Sequence, residues 1–239
     1  MGSGVRGGGA RDGNGVGEVS GSAAQERAGR RRAGGGRTSW RAVGGVLAGV
    51  VLVALLLQAF VRVHVVASDA MASTLTRDER VLSSSWALGP DGPSRGDVVV
   101  LGHGTTWEDA ELPPAAGGGQ LWTITRVVGL PGDAVVCCDA EGRITVDGEP
   151  RVEPATVDDA PFTPGVLDCA TWPRSERCFP PVTVPAGRLL VLGDHRGVAP
   201  DSMVLCRGTA PASDCARFVP AERVAGRVVA KLWPPGPVG

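Results

Sequence analysis

The stretch of sequence that decides the fold is Thr125–Val135, TRVVGLPGDAV. Two valines precede a Pro-Gly-Asp triplet, and further valines follow it. β-Branched residues favour strands, whereas Pro, Gly and Asp favour turns. We therefore predict one strand over Leu121–Gly129 and a second over Ala134–Cys138.

The same pattern of short apolar runs between turn residues recurs on both sides of this stretch. No long amphipathic helix pattern competes with it, so the predicted fold class is mainly β, with antiparallel strands. Two segments, Asp109–Gln120 and Glu149–Pro181, are predicted to be long loops. The further strands are predicted over Arg62–Val66, Arg80–Ser84, Asp97–Leu101, Arg143–Val146, Val182–Val184, Arg188–Leu192 and Val224–Leu232.

The N-terminal segment, residues 1–41, has a different composition. It is dominated by Gly, Arg, Ser and Ala, and it carries eight arginines against three acidic residues. Such a stretch buries too little apolar surface to offset its ordering entropy, so we predict a disordered basic tail. The whole chain has a net charge of -1, which argues against nucleic acid as a partner.

An uncharged apolar run, residues 42–61, follows the tail and predicts a transmembrane helix. Twenty helical residues span roughly 30 Å, the thickness of a bilayer core. The arginines before it predict a single-pass protein of the plasma membrane, with a cytoplasmic N-terminus and an extracytoplasmic domain over residues 62–239. A cleaved signal peptide and a buried core helix are the alternatives. The long leader and the length of the run disfavour a signal peptide.

All six cysteines follow the apolar run, in what would be an oxidising compartment. Their spacing does not form a zinc pattern, and we expect no metal site and no cofactor. The equal spacings predict Cys169–Cys178 and Cys206–Cys215 disulfides, whereas the pairing of Cys137 and Cys138 stays open.

Four motifs together resemble those of bacterial type I signal peptidases, which are membrane serine proteases. They occur in the family order, behind a segment that reads as an anchor. The resemblance implies a signal-peptidase-like antiparallel β fold and a site that accepts an extended peptide with small side chains. The motifs are FVRVHVVASDAMASTL (Phe60–Leu75), RGDVVVL (Arg95–Leu101), TRVVGLPGDAV (Thr125–Val135) and LGDHRGVAPDSM (Leu192–Met203).

The family chemistry is a Ser–Lys dyad, and the resemblance places both of its positions on other residues. The oxyanion-hole serine falls on Ser68. The nucleophile falls on Ala70, next to the family's methionine at Met71, and the general base falls on Thr125. An alanine has no oxygen for attack, and a threonine hydroxyl cannot take a proton at neutral pH.

The last motif keeps most of its supporting residues. Asp194, Arg196, Asp201 and Ser202 match the family pattern, whereas the serine that would hold the lysine falls on Ala199. The final arginine of the family motif falls on Met203.

Three functions remain open from the sequence. The first is an inactive signal peptidase homologue that still binds signal peptides of exported preproteins, at the lipid bilayer, with the export channel or an active paralogue as a possible partner. The second is an active endopeptidase with a non-standard site, in which His195 would act on Ser68 or Ser73. The third is a relic without a binding role.

Overall fold

The computed structural model describes residues 36–102, 122–207 and 214–238. The chain divides after Val51 into two compact units. The described part of the first unit is helical throughout, and the second unit holds the end of that helix and all the described strands. Most of the predicted disordered tail and the predicted Asp109–Gln120 loop lie outside the described residues.

Helix α1 spans Gly36–Phe60 and is followed directly by the first strand. It begins six residues before the predicted start at Ala42, since neither Gly nor Pro interrupts the chain between Gly36 and Gly44. Over the described residues, the helices do not combine the length and the apolar character that a membrane crossing requires. The anchor over residues 42–61 therefore stays a prediction.

The described residues form twelve strands, and the mainly β prediction is confirmed. All nine predicted strands occur, two with the predicted bounds (Arg80–Ser84 and Arg188–Leu192) and the others with ends shifted by a few residues. The strands are β1 (Val61–Val65), β2 (Arg80–Ser84), β3 (Val98–Leu101), β4 (Thr123–Gly129), β5 (Ala134–Cys137), β6 (Ile144–Val146), β7 (Glu149–Pro150), β8 (Phe179–Thr183), β9 (Arg188–Leu192), β10 (Val219–Pro220), β11 (Val224–Trp233) and β12 (Pro235–Gly236).

The strands build two antiparallel sheets. The larger has the order β1-β2-β11-β3-β4-β9-β10, with β12 paired to β11, and the smaller has the order β7-β6-β5-β8. Strand β4 thus lies in the middle of the larger sheet, between β3 and β9. The Pro-Gly-Asp turn leads from β4 into β5, so the stretch Thr125–Val135 connects the two sheets.

Strand β3 is buried on both faces. Val98 and Val100 point into one apolar cluster, and Val99 and Leu101 point into another. The first cluster also contains Met71 from the loop after β1. Full burial of such a side chain stabilises the fold by about 1.5–3 kcal/mol, so the sheet holds this loop in place.

The predicted Glu149–Pro181 loop is partly wrong. Its first two residues form β7, and its last three belong to β8, where Phe179 pairs with Cys137. The two prolines of β8 are tolerated because β8 is an edge strand of the smaller sheet, where a missing N–H leaves no ladder bond unmade.

Candidate active site

A cleft of about 440 Å³ lies between the loop after β1, strand β4 and the loop after β9. It brings together four of the positions singled out in the sequence: Ser68, Ala70, Thr125 and Ala199. Met71 and His195 line it as well. The remaining lining residues are Val66, Ala67, Asp69, Arg77, Trp122, Thr123, Ile124, Gly193, Val198 and Pro200.

The loop after β1, residues 66–79, is closed on itself by backbone hydrogen bonds. The Val66 N–H donates to the Glu79 carbonyl at 2.9 Å, and the Asp78 N–H donates to the Val66 carbonyl at the same distance. Met71 and Leu75 anchor the loop from below, since both are fully buried. Ala70, directly before Met71, is therefore held in a defined position at the cleft.

Lys231 stabilises the same loop from strand β11. Its Nζ lies 2.9 Å from Glu79 Oε1 and donates to the Thr74 carbonyl at 3.2 Å. Burial alone would raise the pKa of Glu79, but hydrogen bonds from Lys231 and Thr76 hold it below its usual value. The only lysine of the chain is thus engaged in an ion pair, and it is not among the residues that line the cleft.

Thr125 is buried in the centre of the larger sheet, opposite Val99 of β3. Its hydroxyl donates to the Leu192 carbonyl at 3.1 Å. The side chain at the predicted base position therefore satisfies a backbone acceptor of the neighbouring strand β9. A hydroxyl group is not a base at neutral pH, so Thr125 cannot take a proton from a nucleophile.

Gly193, directly after β9, packs against Ala70 and Ala199. A Cβ atom added at Gly193 would lie 2.2 Å from the Ala199 Cβ and 2.6 Å from the Ala70 carbonyl oxygen. The Ala70 carbonyl also accepts the His195 N–H at 3.1 Å. Ala70 and Ala199 therefore meet across a backbone position that has room only for glycine.

The partly buried Arg126 and the buried Asp194 form an ion pair beside the cleft. The Arg126 Nε and Nη2 donate to the two carboxylate oxygens at 2.8 and 2.7 Å, and the Thr74 hydroxyl donates to the same carboxylate. This hydrogen bonding to Asp194 raises the pKa of Arg126 further. The pair thus links β4 to the loop after β1 and to the loop after β9.

The other supporting residues of the last motif also bind backbone groups. Arg196 donates from Nε to the Gly193 carbonyl at 3.0 Å and forms an ion pair with Glu153. The Ser202 hydroxyl accepts the Val191 N–H at 2.9 Å.

Asp201 is almost completely buried, and its carboxylate accepts the Met203 N–H and lies 2.6 Å from Arg207 Nη2. Burial nevertheless raises the pKa of Asp201, since the guanidinium offsets only part of the desolvation.

Among the described residues, the His195 side chain is paired with Asp69 and Asp158 and not with either of the two proposed serines. Its Nδ1 lies 3.2 Å from the Asp69 carbonyl oxygen, and its Nε2 lies 3.1 Å from Asp158 Oδ2. Ser73 has a positive φ of 87° and donates its hydroxyl to the Ala155 carbonyl. Ser68 is exposed on the cleft wall. Asp158 belongs to the long segment between β7 and β8 of the smaller sheet, and no signal in the sequence indicated its contact with His195.

The described cysteines occur in three pairs. The structure joins Cys169 to Cys178 and Cys206 to Cys215, and it also joins the neighbours Cys137 and Cys138. The sequence left the last pairing open.

Comparison with known proteins agrees with this architecture. A family model described as signal peptidase, peptidase S26, matches residues 39–233. The match covers most of the chain, which therefore belongs to the signal peptidase family, peptidase S26.

Several curated relatives are similar at moderate identity. Signal peptidase I of Mycobacterium tuberculosis (strain ATCC 25618 / H37Rv) is 27% identical over 217 residues, which cover 78% of this chain and 69% of that protein. Signal peptidase I of Leptolyngbya laminosa is 27% identical over 190 residues, covering 79% and 77%. A crystal structure of a signal peptidase I from Enterococcus faecalis V583 has 22% identity and a TM-score of 0.34, covering 57% of this chain and 97% of that one.

Proposed function

We propose that this protein binds signal peptides of exported preproteins in its cleft and does not cleave them. The observation that carries the proposal is the chemistry of two cleft residues. Ala70 ends in a methyl group, and the Thr125 hydroxyl is bonded to the Leu192 carbonyl. Serine–lysine catalysis needs a nucleophilic oxygen at the first position and a deprotonated amine at the second.

The rest of the cleft suits the binding of an extended peptide. Val66, Trp122 and Ile124 give it apolar walls, and the small residues Ala70 and Ala199 leave space between them. Extended peptides bind such sites through main-chain hydrogen bonds, and shallow pockets select small side chains. Loss of the reacting groups does not remove these features.

The membrane anchor is part of this proposal. The uncharged run over residues 42–61 and the arginines before it favour a single-pass protein with the cleft outside the plasma membrane. In that position the cleft would meet signal peptides at the bilayer surface. The export channel or an active paralogue would then be a partner within reach.

The test is a cleavage and binding assay on the full chain in detergent, with a preprotein and a fluorescent signal peptide. We expect binding of the peptide without cleavage of the preprotein. A signal peptide with bulky residues before its cleavage site is the matched control for binding, and it should bind more weakly. Cleavage by the unmodified protein would refute the proposal and favour the non-standard site at His195.

A series of substitutions tests the two positions directly. Neither Ala70→Ser nor Thr125→Lys should cleave alone, since each restores only one member of the dyad. The double variant should recover detectable cleavage, because burial at position 125 would lower the pKa of the new lysine towards neutrality. Adding Ala199→Ser to the double variant should increase cleavage further, because the serine hydroxyl would hold the amine of the new lysine in place. Cleavage by a single variant at the level of the double variant would contradict the dyad reasoning.

A further inference from the structure

We propose that Cys138 and the Cys169–Cys178 bridge form a thiol–disulfide exchange site, in which a free Cys138 thiol can take over one end of that bridge. The site lies where β5 ends and β8 begins, at the smaller sheet, and it is independent of the proposed peptide-binding cleft.

The placement of the sulfurs carries the proposal. The Sγ atoms of Cys138, Cys169 and Cys178 all lie within 4.8 Å of one another. Strand pairing explains this closeness, because Cys137 at the end of β5 pairs with Phe179 at the start of β8. The next residue of one strand and the preceding residue of the other, Cys138 and Cys178, are then brought side by side.

The exchange requires that the Cys137–Cys138 bond be opened first. An external dithiol reduces this disulfide and is itself oxidised to a disulfide, which leaves thiols at Cys137 and Cys138. The Cys138 thiolate then attacks Cys178 Sγ. A Cys138–Cys178 bond forms, the Cys169–Cys178 bond breaks, and Cys169 leaves as a thiolate that takes up a proton. The second step is neutral in electrons and needs no further reagent.

Burial decides which sulfur leaves. Cys178 is completely buried, whereas Cys169 is partly exposed. A thiolate is the better leaving group where water can solvate it, since burial disfavours the charged form. Attack at Cys178 with release of Cys169 is therefore the favoured direction.

The exchange has a consequence for the segment before β8. The Cys169–Cys178 bridge joins two residues that are nine positions apart in the sequence. The loop between them carries the exposed Trp172. Moving the bridge to Cys138 opens this loop while β8 stays fastened to the end of β5. Reduction of the Cys137–Cys138 bond would thus release this loop and leave a reactive thiol at Cys169.

Two variants of equal composition test the proposal without added reductant. Cys137→Ser leaves Cys138 free beside the bridge, and Cys138→Ser leaves Cys137 free, which is not part of the sulfur cluster. Each full-length protein is incubated for hours, labelled with N-ethylmaleimide in denaturant so that the buried Cys137 is also reached, and mapped as non-reduced peptides by mass spectrometry. We expect a Cys138–Cys178 peptide pair and labelled Cys169 in the first variant. In the second we expect label on Cys137 and an unchanged Cys169–Cys178 bridge.

Label confined to Cys138 in the first variant, with the Cys169–Cys178 bridge intact, would overturn the proposal. The wild-type protein gives a second measurement that does not depend on the folding of variants. With limiting dithiothreitol and a timed quench, the Cys138–Cys178 pair should appear while the buried Cys206–Cys215 bridge is still intact. Simultaneous labelling of Cys169 and Cys178 without a Cys138 cross-link would contradict the exchange.

Discussion

Gly193→Ala is the substitution to which the cleft should be most sensitive. The new methyl carbon would lie 2.2 Å from the Ala199 Cβ and 2.6 Å from the Ala70 carbonyl oxygen. Overpacking costs about 1–3 kcal/mol, and the upper end applies here because neither neighbour can turn away by a side-chain rotation. Alanine also has less conformational freedom than glycine in the unfolded chain, which offsets about 0.7 kcal/mol of this cost. We expect a net loss of about 2 kcal/mol, which corresponds to roughly 4–8 °C in Tm for a domain of this size.

The assay is denaturant unfolding of the full chain in detergent, followed by peptide binding to the folded variant. Gly102→Ala is the matched control, because the nearest atoms to a Cβ there lie 3.6 Å away, an ordinary contact distance. It should be neutral or slightly stabilising. Peptide binding should weaken only in Gly193→Ala, since only that substitution pushes Ala70 and Ala199 apart. Equal unfolding midpoints and equal binding for the two variants would refute the reasoning.

Two further predictions concern ion pairs. Arg126→Ala should lower the free energy of unfolding by about 3–5 kcal/mol, because it leaves Asp194 buried without its partner. The control Arg77→Ala, which breaks an exposed pair, should cost at most about 1 kcal/mol in the same denaturant titration; comparable losses would contradict this ranking. For pH, burial alone would raise the pKa of Asp133, but hydrogen bonds donated by Arg95 and by the Leu130 N–H hold this pKa below its usual value. Its contribution is therefore present above the unfolded pKa and is lost as the pH falls through the lower folded pKa. Between about pH 6 and about pH 3, the free energy of unfolding should fall less in Asp133→Asn than in the wild type. An equal dependence on pH in the two proteins would contradict this role of Asp133.

The strands could be predicted from the sequence because each combines a local apolar run with flanking turn residues. The sequence did not predict strands β7, β10 and β12, since two residues carry too little periodicity to be recognised. The start of β8 was missed for a different reason. Pro180 and Pro181 argue against a strand, and only the sheet order reveals that β8 lies at an edge.

The candidate site was predictable as a set of positions, since the motifs mark them in order along the chain. Its contacts were not. The pairs Arg126–Asp194 and Lys231–Glu79 join residues that are far apart in sequence, so no local pattern indicates them. The tight approach of Gly193 to Ala70 also depends on how two loops meet above the sheet.

The hydrogen bond from Thr125 to the Leu192 carbonyl has a consequence for how such proteins can evolve. Threonine favours strands, and here its hydroxyl satisfies a backbone acceptor, whereas Ala70 lies in a turn outside every strand ladder. Neither residue disturbs the architecture around it. A lineage could therefore exchange both positions without a penalty in folding, and selection for a stable, exportable protein would not restore them. Within such a lineage, a high melting temperature would not distinguish a working protease from a silent homologue.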